Sequence, residues 1–93
     1  MDQIRLELID ASGAPRTETF TGRLIVECNS GPHKGTKLYI DDAGRCIGYD
    51  VGARRYWVFD RELDDDEIEA YCDTDEEFLS AMLKLGRKTD FSI

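Results

Sequence analysis

Cys28, His33 and Lys34 are the residues of this 93-residue chain that come nearest to chemistry. A nucleophilic thiol needs a base beside it, and His33 is the only histidine. The loop Gly31-Pro32-His33-Lys34-Gly35 places that imidazole and an ammonium between two glycines, whose backbone N–H groups can face an anion. It lacks the spacing of a phosphate-binding G-x-x-x-x-G-K-[ST] loop and leads into a strand pattern, so a hairpin loop accounts for it equally well. A metal site would need His33 to converge with two of Cys28, Cys46 and Cys72, which show no C-x-x-C spacing. Each cysteine lies beside apolar residues, as small buried side chains do. Asp64-Asp65-Asp66-Glu67 has the composition of a cation site without the alternating ligands and central glycine of a calcium loop. The expectation is a chain with no catalytic residue, no metal and no cofactor. A ligand or enzymatic site around His33 and Lys34 is the rival.

Charge gives a second lead. Twelve basic and twenty acidic residues leave a net charge of -8. Up to residue 59 the two signs cancel at eight each, so the whole excess belongs to the last third. Between Asp60 and Glu77 stand eleven acids and one base, Arg61. Asp64, Asp65, Asp66, Glu69, Asp73, Asp75, Glu76 and Glu77 form a candidate acidic ridge for a basic partner surface, or a phosphate-like mimic that inhibits a nucleic-acid-binding protein. Helix caps and a solvated helix face use the same residues.

The elements that position these groups follow from periodicity. Ile4, Leu6 and Leu8 alternate with polar residues, so a strand is expected over about Gln3 to Ile9. From Thr17 to Cys28 a long strand is expected, bent or bulged at Gly22. Thr36 to Ile40, Arg45 to Val51 and Arg54 to Asp60 continue a meander, with Asp41-Asp42-Ala43-Gly44 as a hairpin turn. Then the pattern changes. Asp64 as N-cap, Glu67 as the reciprocal cap and Leu63 stapled onto Ile68 predict a helix start, and Thr74 with Glu77 predicts a second. Phe78, Leu79, Met82, Leu83 and Leu85 are expected to face inward, with Gly86 ending the helix. Phe91 and Ile93 could close the chain as a short edge strand.

Sheet parity then sorts the faces. Phe20, Leu24, Val26, Leu38, Ile40, Tyr49, Trp57 and Phe59 are expected under the helices. The opposite face would carry Arg23, Ile25, Lys37, Tyr39, Cys46, Tyr56 and Val58, more apolar than water requires. Cover by the first strand or the tail, a homodimer interface, or a partner platform rich in Tyr and Arg would each account for it.

Together these readings predict a single α+β domain, an antiparallel meander of four to five strands with one or two C-terminal helices packed on one face. The sheet spans about 3–60, the helical segment about 64–86 and a short tail 87–93. No apolar stretch is long enough to cross a membrane, no signal peptide opens the chain, and three cysteines cannot all pair within it, so a reducing cytoplasm is expected. The net charge disfavours nucleic acid, although a local basic face could still touch an anion. The expected function is a small, non-catalytic protein-interaction module with a protein partner, acting through the acidic ridge or through Arg23, Ile25, Lys37, Tyr39, Tyr56 and Val58.

Overall fold

A computed structural model describes residues 2–87. The expected edge strand at Phe91 and Ile93 lies outside the described residues. Five strands form one antiparallel sheet in chain order: β1 (Asp2–Ile9), β2 (Pro15–Glu27), β3 (Thr36–Asp41), β4 (Cys46–Asp50) and β5 (Arg55–Val58). Two helices follow, α1 (Asp65–Ala70) and α2 (Asp75–Lys84), of which α2 packs against β2. The fold is α+β, a meander curled into a half-barrel.

The turns are built by side chains that bind their own backbone. Asp41 accepts from the N–H groups of Ala43 and Arg45 at 3.0 and 2.7 Å, and Gly44 takes φ 85° where a β-carbon would be strained. Helix α1 starts as its sequence dictates, with the Glu67 N–H donating to Asp64 at 2.8 Å and the Glu67 carboxylate accepting from the Asp64 N–H. The second cap is half of the expected box. Thr74 accepts from the Glu77 N–H, but the Glu77 carboxylate reaches the Asp73 N–H instead. At the far end, Gly86 at φ 72° lets the Arg87 N–H return to the Met82 carbonyl and its own N–H to that of Leu83.

Two apolar clusters flank the sheet. Beneath the helices lie Ile25, Val26, Leu38 and Cys46 with Leu63, Ile68, Tyr71, Ala81 and Met82, and Phe78 and Leu85 pack against them. Phe78, Ala81, Met82 and Leu85 form the i, i+3, i+4, i+7 stripe of α2, so Leu83, expected to face inward, is 77% exposed. On the other face Leu6 and Leu8 of β1 curl over Tyr39, Ile47 and Tyr49.

The face assignments along β2 are corrected by one irregularity. The β2–β3 ladder shifts between Leu24 and Val26, which leaves Ile25 as an extra residue. Leu24 and Val26, of equal parity, therefore join opposite clusters, while the neighbours Ile25 and Val26 share one. Phe20 and Leu24, expected under the helices, pack beneath β1, and Ile25 makes the reverse exchange. Tyr49 and Cys46 also trade faces, because the regular β3–β4 register sets Tyr49 opposite Lys37 and Cys46 opposite Ile40. Arg23 pairs with Ile40, which lies on the helix side, and stays exposed. Gly22 is not the bulge. A β-carbon there would lie 2.3 Å from the Ile40 carbonyl oxygen, so its role is close strand approach.

Candidate functional site

The expected sheet-face platform is dismantled by this packing. Ile25 lies under the helices and Tyr39 under β1, both buried. Lys37, Tyr56 and Val58 stay on the face away from the helices, since Lys37 pairs with Tyr49 and Tyr49 with Tyr56, while Val58 pairs with Ile47. Tyr56 and Val58 are exposed there, at the edge of the sheet.

That edge is β5. All four of its residues are exposed, and Tyr56, Trp57 and Val58 form an apolar run at 38%, 38% and 43%. The Phe59 N–H donates to the Cys46 carbonyl at 2.9 Å. By the two-residue alternation of an antiparallel ladder, Tyr56 and Val58 turn their N–H and C=O groups away from β4. Arg54 has the same parity, and its carbonyl accepts the Ile9 N–H of β1 at 3.1 Å. Among the described residues the half-barrel is thus pinned at one end of β5 and open along the rest.

Beside the pin, Arg16, Arg54 and Arg55 line a pocket of about 620 Å³ with Leu8, Ile9 and Tyr56. Arg54 stands at φ 54°, the one non-glycine residue with positive φ among those described. Asp10, also on the wall, is committed to its own turn, accepting from the Ser12 hydroxyl at 2.5 Å and the Ser12 and Ala14 N–H groups. These bonds, the Ser12 hydroxyl first, hold its carboxyl below the usual range. Trp57 lies across β4 at Gly48, where an added β-carbon would fall 2.3 Å from the indole Cε2.

The loop with His33 and Lys34 is tied down from both sides. His33 stacks on Tyr71, ring centroids 4.2 Å apart and 19° from parallel. Asp73 accepts from the Ser30 hydroxyl at 2.6 Å and the Asn29 N–H at 3.0 Å, which keeps its carboxyl acidic. Gly31–His33 is a 3-10 turn, and Lys34 is exposed. The three thiols are free. Burial raises the Cys46 thiol, and burial followed by the Glu77 carboxylate pushes that of Cys72 up to about 11, the reverse of nucleophile activation. Among the described residues no three His, Cys, Asp or Glu side chains are grouped to hold a metal ion, and no helix is long and apolar enough to cross a membrane.

Much of the acidic ridge is occupied. Asp64 and Glu67 cap α1, Glu67 binds Arg61, and Asp65 takes Arg87 at 3.0 Å. Glu67 is drawn down to about 2, first by Arg61 and then by the Asp64 N–H. Asp73 holds the loop and Glu77 the Asp73 N–H. Asp66, Glu69, Asp75 and Glu76 are exposed and make no side-chain hydrogen bond or ion pair among the described residues.

The β5 edge escaped the sequence reading because parity ranks faces and is silent on edges. Its signal was the run Arg54-Arg55-Tyr56-Trp57-Val58, the last strand of a meander and so a strand with one neighbour. Comparison with protein-family models, with curated proteins and with solved structures finds no match for the chain.

Proposed function

We propose that this protein is a non-catalytic protein-binding module that takes an extended segment of its partner as an added strand on β5. The observation that carries the reading is the outward N–H and C=O groups of Tyr56 and Val58 on an edge whose side chains are apolar and exposed. Soluble domains usually blunt such an edge with prolines, charges or a covering element. Here the charges stand only at its start, as Arg54 and Arg55, and the covering strand β1 departs after Ile9. Main-chain bonds then supply affinity, and the side chains on either side of the added strand supply selectivity.

The test is a photo-crosslinking residue at Tyr56, followed by peptide mapping of whatever it captures. Strand addition predicts a crosslink within an extended segment, lost in Val58→Pro, which removes one outward N–H. A crosslink that survives Val58→Pro, or one that maps to a helix, overturns the reading.

A further inference from the structure

Resting on strand addition at β5, we infer that the added strand is the C-terminal segment of the partner, antiparallel to β5, with its free carboxylate among Arg54, Arg55 and Arg16. Among the described residues the edge is closed at one end only. Because the Ile9 N–H already holds the Arg54 carbonyl, a strand paired with Tyr56 and Val58 cannot run past Arg54. It ends there, at the mouth of the 620 Å³ pocket.

Charge then fixes the direction. Arg54 and Arg55 make no ion pair among the described residues, and Arg16 is shared with Glu18. Asp10 is the only carboxylate on the wall, and its Oδ1 is taken up by Ser12 and Ala14. A strand antiparallel to β5 delivers its C-terminal carboxylate to these guanidinium groups, which bind such a group through paired charge-assisted hydrogen bonds. A parallel strand would deliver an ammonium group to the same place and be repelled. At the opposite end Asp60 and Glu62 follow β5, so a lysine or arginine a few residues before the terminus completes the match. Between them, alternate apolar side chains meet Tyr56 and Val58 on one face and Trp57 on the other.

The experiment selects binders from two randomised libraries of peptides of about eight residues, the length of an ordinary strand. One library has free C-termini and the other has C-termini fused to the carrier. Enrichment from the free library alone is expected, with a basic residue upstream. Amidating a selected peptide then weakens it by roughly tenfold or more. Arg54→Gly with Arg55→Ala removes that difference, and glycine at 54 also accommodates φ 54°. Equal enrichment from both libraries overturns the carboxylate inference and leaves strand addition standing. Enrichment from neither, or binding untouched by Val58→Pro and by the fold-preserving alternative Val58→Asp, overturns both. A dimer that forms with concentration and is lost in either Val58 variant makes a second copy the occupant, and also overturns the inference.

Discussion

The Tyr49 hydroxyl, on β4, donates to the main-chain carbonyl of Glu7, on β1, at 2.6 Å. Among the described residues it joins β1 to the far part of the sheet across the inner cluster, as Ile9 to Arg54 does at the edge. Between them they set how far β1 stands from β5. Tyr49→Phe keeps the ring that packs with Leu6, Leu8, Tyr39 and Ile47 and deletes the bond. We expect about 1 kcal/mol less stability in denaturant titration, the net worth of a single neutral hydrogen bond, with faster amide exchange along β1. Unchanged exchange at Glu7 to Ile9 would show that Tyr49 does not hold the seam.

Gly48 is the residue on which Trp57 rests. A methyl group there would meet the indole at 2.3 Å, so Gly48→Ala must push the ring off β4. The expected cost is about 1–3 kcal/mol, as for overpacking elsewhere. Trp57 is the only tryptophan, so its emission reports the displacement directly by a shift to longer wavelength. An unaltered spectrum would place the indole elsewhere.

Acid should loosen the turns and helix starts together. Asp10, Asp73 and Glu67 have carboxyls held below their ordinary values by hydrogen bonds, and so does Asp41, where burial acts to raise it but the Arg45 N–H and guanidinium prevail. A folded-state value below the unfolded one gives stability that is full above the unfolded range and is lost as pH falls through the folded value. For Glu67 that window runs from its ordinary 4.5 down to about 2. Melting temperature should therefore fall steadily across this window, and less steeply in Glu67→Gln. A flat profile would contradict the Arg61 and Asp64 contacts.

The thiols give a further check. Because burial raises Cys46 and Cys72, both should react slowly with iodoacetamide at pH 8 in the folded protein and fast in guanidinium. Mass spectrometry of the labelled peptides reads this out. Rapid labelling of Cys46 in the native state would place it outside the cluster beneath the helices.

Where the determinants are local, the sequence was sufficient. The Asp64–Glu67 box and the staple residues Leu63 and Ile68, exposed by only 1% and 0%, form within six consecutive residues. Strand order was equally legible, because short turns leave a meander no other topology. Face assignment failed along β2 at Ile25, where one extra residue inverts parity, and on β4, where the register that sets Tyr49 opposite Lys37 and Cys46 opposite Ile40 is a property of strand pairing and not of either strand alone. The run Leu24-Ile25-Val26 carried the hint, since three consecutive apolar residues do not fit a simple alternation. The β1–β5 seam was invisible for a different reason. It depends on how far the sheet curls, a property of the assembled sheet and of no segment within it.

The excess acid, confined to the part of the chain after residue 59, bears on β5 in another way. An exposed apolar edge is a template for stacking molecule upon molecule, and the short strand itself carries only arginine as a guard. With a net charge of -8, copies of the protein repel one another before their edges can align. That repulsion reaches only about 8 Å at physiological ionic strength and about 3 Å in molar salt. The acidic last third of the chain thus keeps apart molecules whose exposed edge lies in the first two thirds, and concentrated salt should bring the protein out of solution through β5.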